Sequence, residues 1–289
     1  MNKAMVALAG LGGGAIALFF GGQAFVSHVA AKEIDKAIVE VSPFAAVEYK
    51  KVKTSFLGQG TTVKDVVITP VDSGEAIKVD EIVVYDFDTN SEIPTHVKMA
   101  MNGMSMSTAA LGENAAMFSE LGYDKDLALS FATEYEYEEG DKTIQLKQFK
   151  MGADEVGDVD MSFQLANVEL DEKAIASLPF SLFGVEFREA NLTYSDDSLI
   201  NRLFETTAAA EGKSVKEVKA EAIAGLKEDS ELSELLTAEQ IKEIEKFINN
   251  PKSFSISMSP EAPVPLSSLM TAGDGDAIAK LLNVSFKAK

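Results

Sequence analysis

The chain has 289 residues, and its 26 Lys and Arg against 46 Asp and Glu give a formal net charge of −20. It contains no Cys and two His, which excludes disulfides, thiolate metal sites and Cys nucleophiles and leaves little for His-based catalysis. A chain this acidic repels a phosphate backbone, so nucleic acid is not an expected partner. Its hydrophobic fraction of 46% is that of a folded protein with a core of its own.

The first 31 residues form an apolar segment with a single charge at Lys3. Residues 4–31 carry no formal charge when His28 is neutral, and about 20 helical residues suffice to cross a bilayer. The positive end is expected in the cytoplasm and the acidic remainder on the far side. The sequence therefore predicts a signal-anchor helix over 1–31 and a lipid bilayer as the partner of residues 4–31. The protein would be a single-pass inner-membrane protein with its C-terminal domain in the periplasm.

A cleaved signal peptide is the alternative interpretation of this segment. Gly22-Gln23-Ala24 matches the small-x-small pattern of a cleavage site, and processing near Ala24 would release the chain into the periplasm. The apolar run continues to Ala31, however, and passes into a predicted connector over 32–43 whose apolar residues recur at helical spacing. This continuity favours an uncleaved anchor.

From residue 44 onward, apolar and polar residues mostly alternate, as in half-buried strands. The clearest run extends from Leu127 to Glu138, and Glu139-Gly140-Asp141 supplies a turn toward a hairpin partner at Thr143–Met151. Such alternation is typical of antiparallel sheets with one solvated face. The same alternation predicts strands at Val83–Phe87, Val97–Met101 and Val159–Leu165, and further strands are predicted at Val63–Thr69, at Val185–Tyr194 and at Val47–Phe56, which would pair with Val63–Thr69.

Residues 196–250 have helical spacing instead. Two helix starts there carry capping boxes, Ser214 with Glu217 and Thr237 with Gln240. Strands then return at Phe254–Met258 and Val284–Phe286, with a short helix at Asp276–Leu282 between them. The predicted fold class is α+β, mostly antiparallel β: a long meander over 44–289 with a helical insertion near residues 196–250 and C-terminal strands that return to the sheet.

The order of these segments resembles a group of known proteins. The pattern is carried by Val47–Phe56, Val63–Thr69, Leu192-Thr193-Tyr194, Asp197-Ser198-Leu199-Ile200, Phe247-Ile248-Asn249-Asn250-Pro251 and Pro260-Glu261-Ala262-Pro263-Val264-Pro265. It resembles exported, membrane-anchored proteins of unknown function from Gram-negative bacteria and, more distantly, AsmA-type envelope proteins. The resemblance implies a role in envelope lipid handling and supplies no catalytic residues. The chain is far shorter than typical AsmA proteins.

The sequence offers little catalytic or metal-binding chemistry. Asp86, Asp88 and Asn90 occupy the first ligand positions of an EF-hand-like loop, but Ser91 and Val97 stand where Gly and Glu are required. A strand end and a turn explain these residues, so no metal and no cofactor are predicted. A solvated sheet face explains the alternating acids Glu134, Glu136 and Glu138, and a strand-surface position explains His96, so no catalytic residue is predicted.

Two side-chain groups are candidate binding residues. A speculative ligand-binding group consists of Met99, Met101, Met104 and Met106, because methionine adapts to variable apolar ligands. Core packing is the alternative interpretation of that group. A membrane-proximal basic group consists of Lys50, Lys51 and Lys53, which could contact anionic headgroups or be ordinary strand-surface lysines.

These features favour a membrane-anchored envelope protein that binds or scaffolds, with lipid, another hydrophobic ligand or an envelope protein as its partner and without catalysis. A carboxylate-dependent hydrolase of envelope polymers is the first alternative. It requires two acids about 5–10 Å apart in a concave site, at least one of them with a perturbed pKa. A purely structural assembly protein is the second alternative.

Overall fold

A computed structural model describes residues 38, 42–54, 60–71, 76–88, 91, 93–107, 115–123, 126–170, 184–229, 236–272 and 275–289. The strands of this part are β1 (Ala45–Glu48), β2 (Lys51–Thr54), β3 (Thr61–Pro70), β4 (Ile77–Phe87), β5 (His96–Met106), β6 (Leu127–Glu138), β7 (Thr143–Ala153), β8 (Gly157–Ala166), β9 (Glu186–Asp196), β10 (Ser253–Met258), β11 (Val264–Pro265) and β12 (Val284–Ala288). Its helices are α1 (Ala115–Glu120), α2 (Leu199–Glu211), α3 (Val215–Glu228), α4 (Ala238–Asn249), α5 (Leu266–Thr271) and α6 (Gly275–Leu281).

The strands form a sheet in the order β1-β3-β4-β5-β6-β7-β8-β9-β10-β12, with β2 also paired to β3 and β11 to β9. Neighbours in sequence are mostly neighbours in the sheet, and the pairs β3–β4, β4–β5 and β8–β9 are antiparallel. The predicted antiparallel meander is therefore confirmed. The strand predicted over Val47–Phe56 corresponds to two short strands, β1 and β2, which pair with successive parts of β3.

The helices α2, α3 and α4 are an insertion between two paired strands. β9 and β10 are antiparallel neighbours, with Tyr194 opposite Phe254, although the helical segment separates them in sequence. The predicted insertion near 196–250 is confirmed. At its start, Asp196 Oδ1 accepts hydrogen bonds from the Tyr194 hydroxyl at 2.7 Å and from the Ile200 N–H at 2.9 Å. This carboxylate ties the first turn of α2 to the end of β9.

Both predicted capping boxes are present. At α3, the Glu217 N–H donates to Ser214 Oγ at 3.3 Å, and the Ser214 N–H donates to Glu217 Oε2 at 2.8 Å. At α4, the same exchange joins Thr237 and Gln240 at 3.2 and 2.8 Å. Each box satisfies two backbone groups that the first turn of a helix leaves without partners.

The short elements α1, α5 and β11 were not predicted. Each of the two helices has six residues, which is fewer than two turns, and β11 has two. A segment this short does not repeat its apolar residues often enough for a period to be recognised.

The described chain divides into two compact units, and the division crosses β6 and β7. The N-terminal unit consists of the described residues up to Glu134 together with Met151–Asp154. The C-terminal unit consists of Tyr135–Lys150 and Glu155–Lys289. The sequence predicted one β-rich domain over 44–289.

In the N-terminal unit, the alternation of buried and exposed residues is interrupted at neighbouring positions of β3, β4 and β5, which form one row across the sheet. Buried residues follow each other at a spacing of three at Val63 and Val66, at Val79 and Ile82, and at Met101 and Met104. Asp65 and Gly103 lie in this row with φ of 54° and 65°, a left-handed conformation that interrupts the pleat. Beside this row, the Glu81 carboxylate forms an ion pair with Lys64 Nζ at 3.1 Å and accepts a hydrogen bond from Asn102 Nδ2 at 3.1 Å.

The predicted anchor over 1–31 lies outside the described residues, as does most of the connector over 32–43. In the part of the chain that the structure describes, no helix combines the length and the hydropathy that a membrane span requires. The anchor stays a prediction from the sequence.

Candidate functional site

In the C-terminal unit, one face of the sheet is lined by apolar side chains from four neighbouring strands. Residues directly opposite each other in antiparallel strands project to the same face, so the registers of β8, β9, β10 and β12 define it. We call this surface the apolar face. It consists of Val159, Met161, Phe163, Ala190, Leu192, Tyr194, Phe254, Ile256, Met258, Val284, Phe286 and Ala288.

Helix α4 covers part of the apolar face. It packs against β12 and β10, and its Phe247 ring lies 6.1 Å from Tyr194 and 5.4 Å from Phe254, centroid to centroid. Phe254 in turn lies 5.4 Å from Phe286. These four rings form one aromatic cluster, and such contacts add stability beyond the area that they bury.

Leu192 is the exposed member of the apolar face, and the other residues of that face are half-buried. Leu192 is 37% exposed, although it lies in the row Met161–Leu192–Ile256–Phe286 with an apolar neighbour on each side. Met161, Phe163 and Met258 are half-buried. A large apolar side chain left in contact with water within a continuous apolar surface is a candidate contact for a hydrophobic ligand.

The opposite face of the same strands is polar. Asp160, Thr193, Ser255 and Lys287 form one of its rows. The Thr193 and Ser255 hydroxyls are hydrogen-bonded at 2.9 Å, and Gln148 Nε2 donates to Asp160 at 3.2 Å. The two faces of this sheet therefore suit different environments, and only the apolar face suits an apolar ligand.

The four methionines that the sequence marked as ligand-binding candidates lie on β5 in the N-terminal unit. Met99, Met101 and Met104 are 7%, 5% and 9% exposed and lie opposite Val84, Ile82 and Val79 of β4. Met106 is half-buried. Three of the four side chains thus belong to the core of this unit. Their ligand-binding role stays a prediction, and the apolar face lies elsewhere.

The predicted basic residues lie at the β1–β2 edge of the sheet. Lys51 and Lys53 are exposed on β2, and Lys50 lies between β1 and β2. The Lys50 side chain is 78% exposed, with its Nζ 3.8 Å from Asp65 Oδ1. The three amines are therefore accessible from solvent, as a contact with headgroups would require.

Two of the alternating acids on β6 are held in ion pairs. Glu134 Oε2 lies 2.7 Å from Lys98 Nζ, and Glu136 pairs with Lys147. Among the described carboxyl groups with a shifted pKa, the shift is downward. Hydrogen bonds from Lys64 and Asn102 lower the pKa of Glu81, and a hydrogen bond from Ser214 lowers that of Glu217. A general acid needs the opposite, a raised pKa.

The EF-hand-like residues hold a turn. Asp88 is 5% exposed, and its carboxylate accepts hydrogen bonds from the Thr95 N–H at 3.0 Å, the Thr95 hydroxyl at 2.8 Å and the Ser91 N–H at 3.3 Å. Asp86 Oδ1 lies 3.4 Å from His96 Nε2, and Asn90 lies outside the described residues. In the described ranges, no cluster of three His, Asp or Glu side chains is arranged to hold a metal ion.

The C-terminal part of the chain matches a known protein family. A protein family described as "Uncharacterized protein" matches residues 150–289. This range begins near the end of β7 and includes the strands of the apolar face and the helices α2, α3 and α4. The chain matches no curated protein. The C-terminal part of the chain is thus similar to a protein family of that description.

Proposed function

We propose that this chain is a membrane-anchored, periplasm-facing binding or scaffold protein that holds lipid or another hydrophobic ligand on the apolar face and catalyses no reaction. The observation that carries the proposal is the exposure of Leu192 in the middle of a continuous apolar row. The uncharged residues 4–31 support an anchor, and the resemblance to AsmA-type envelope proteins supports lipid as the ligand class.

The chemistry of the two sheet faces favours a ligand on one of them. An acyl chain on the apolar face gains roughly 0.8 kcal/mol for each CH2 group that leaves water, so several such groups are needed to offset the loss of motion on binding. The opposite face carries Asp160, Thr193 and Ser255 in the same strands and offers no such gain. A ligand is therefore expected to contact Leu192 and not Asn191, its neighbour on the polar face.

This difference supplies a matched test. The Leu192→Asp variant places a carboxylate in the apolar row, whereas Asn191→Asp places the same charge on the same strand and the other face. Binding of a fluorescent fatty acid to the full chain in detergent should weaken at least about tenfold, or 1.4 kcal/mol, in Leu192→Asp and remain unchanged in Asn191→Asp. Circular dichroism checks that both variants fold. If Leu192→Asp does not fold, Leu192→Ala replaces it in the binding measurement.

A second measurement addresses the ligand itself. The full chain, purified and extracted with organic solvent, should yield bound lipid by mass spectrometry, and Leu192→Asp should yield less. Equal lipid recovery and equal fatty-acid binding in wild type and Leu192→Asp would contradict a ligand on this face. Absence of bound lipid from the wild-type chain, without fatty-acid binding, would favour the purely structural role instead.

A further inference from the structure

An exposed apolar pair lies at one end of the β1–β2 edge. Phe44 is 68% exposed and Val71 is 63% exposed, the highest values among the large hydrophobic side chains that the structure describes. The Val71 N–H donates to the Phe44 carbonyl at 2.9 Å, so the two residues are neighbours where β1 begins and β3 has ended. Two adjacent, largely exposed apolar side chains form a small apolar patch that would gain free energy if an apolar environment covered it.

Basic side chains follow the same edge. Lys50, Lys51 and Lys53 lie along it in a chain whose net charge is −20. The acids nearby are Glu48, which is exposed on β1, Asp65, which faces Lys50, and Glu81, which pairs with Lys64. Lysine on a short edge strand also discourages pairing with another strand. That role does not account for the exposed Phe44 and Val71.

The position of this edge in the chain points to its partner. Phe44 directly follows the predicted connector over 32–43, which follows the predicted anchor. Twelve residues span about 18 Å as a helix and at most about 40 Å when extended, so the anchor keeps the edge close to the bilayer surface. Aromatic and apolar side chains flanked by lysine are typical of segments that lie in the headgroup region.

We propose that Phe44, Val71, Lys50, Lys51 and Lys53 form a docking surface through which the N-terminal unit lies on the anionic surface of the bilayer. Phe44 and Val71 enter the headgroup region, and the three lysines contact anionic headgroups. The proposal rests on the proposed anchorage and adds an orientation to it: the β1–β2 edge faces the lipid.

The composition of the chain provides a clean test, because it contains no Trp. Phe44→Trp introduces a single fluorescent reporter into the docking surface, and Tyr85→Trp is the matched control on β4, where Tyr85 is 45% exposed. Each full-length variant is reconstituted into vesicles that contain anionic lipid with brominated acyl chains, which quench tryptophan on contact. The Phe44→Trp emission should be blue-shifted and quenched, and the Tyr85→Trp emission should be neither.

The electrostatic part is tested in the same vesicles. Combining Phe44→Trp with Lys51→Glu and Lys53→Glu should abolish much of the quenching, as should about 1 M salt, which shortens the screening length to about 3 Å. Combining Phe44→Trp with Lys216→Glu and Lys242→Glu reverses two exposed lysines on α3 and α4 and should leave the quenching intact.

Flotation of the vesicles separates the docking proposal from the anchorage on which it rests. If the chain floats with the vesicles and Phe44→Trp is quenched no more than Tyr85→Trp, the docking surface is wrong and the anchorage stands. If the chain does not float, the anchorage is wrong and the docking surface with it.

Discussion

The side chain of Gln240 hydrogen-bonds the backbone of Val284, with Nε2 donating to the carbonyl oxygen at 2.9 Å. Val284 belongs to β12, the last strand in the order of the sheet, and Gln240 is also the third residue of α4 and completes its capping box. Glu243, one turn further along α4, accepts a hydrogen bond from the Ala288 N–H at 2.9 Å. Two side chains of one helix therefore satisfy backbone groups of an edge strand, which protects that edge from pairing with another chain.

Gln240→Ala should lower the free energy of unfolding by about 1–3 kcal/mol, because it removes an acceptor for the Thr237 N–H and a donor to the Val284 carbonyl oxygen at a site that is 8% exposed. Chemical denaturation of the full chain measures the loss. Glu217→Ala is the matched control, since Glu217 holds the same position in the capping box of α3 and is exposed. A loss in Gln240→Ala no larger than in Glu217→Ala would contradict a role at the edge.

The contact of Glu243 with the edge should depend on pH. The hydrogen bond from Lys246 and then that from the Ala288 N–H lower the pKa of Glu243 below its ordinary value in the folded chain. A lowered pKa in the folded chain means that folding favours the ionised form of Glu243 over the protonated form. Its stabilising contribution is therefore complete above the unfolded value of about 4.3 and is lost as the pH falls through the lower folded value.

Glu243→Gln keeps an acceptor for Ala288 but cannot ionise. The difference in unfolding free energy between wild type and Glu243→Gln should be constant from neutral pH down to about pH 5 and should shrink below it. Denaturant titrations at several pH values measure this difference. A difference that does not change with pH would show that the carboxylate contributes no ionisation-linked stability.

The strands could be predicted because a half-buried strand imposes a period of two on its own sequence. From Leu127 to Glu138 the buried positions Leu127, Leu129 and Thr133 follow this period. In β4 the period failed: the register shifts between Val84 and Asp86, and the consecutive residues Val83 and Val84 are both buried while Tyr85 and Asp86 are both exposed. A bulge of this kind depends on the partner strand, and the sequence of one strand does not encode it.

The candidate site could be predicted in part. The alternation of Val159, Met161 and Phe163 indicates an apolar side, but how far α4 covers that side depends on the packing of a helix that follows about 75 residues later. The capping box predicted the role of Gln240 at the helix start, whereas its bond to Val284 depends on the return of β12 to the sheet. For Met99 and Met101, composition alone did not separate a core position from a ligand contact.

Gly60→Ala should destabilise the chain, and Gly225→Ala should stabilise it. Gly60 has φ of 101°, and a Cβ there would lie 2.2 Å from the Val84 carbonyl oxygen, which is backbone and cannot move aside. Gly225 lies within α3, and a Cβ there meets nothing within 4 Å. We expect a loss of at least about 1 kcal/mol for the first and a gain of about 0.5–1 kcal/mol for the second, measured by denaturation. Effects of the same sign would contradict this account.

Asp88→Ala should destabilise the chain by about 1–3 kcal/mol, because the buried carboxylate accepts hydrogen bonds from Thr95 and Ser91 and its loss leaves their backbone N–H groups without that acceptor. Asp86→Ala is the control, since the Asp86 side chain is 67% exposed and a surface substitution is expected to change stability by about 0.5 kcal/mol or less. Thermal melts with and without Ca²⁺ separate the two interpretations of these acids. A turn-stabilising Asp88 predicts the same wild-type melting temperature in both conditions, whereas an EF-hand-like site predicts a Ca²⁺-dependent rise that Asp88→Ala abolishes, because an ion that binds the folded chain stabilises it.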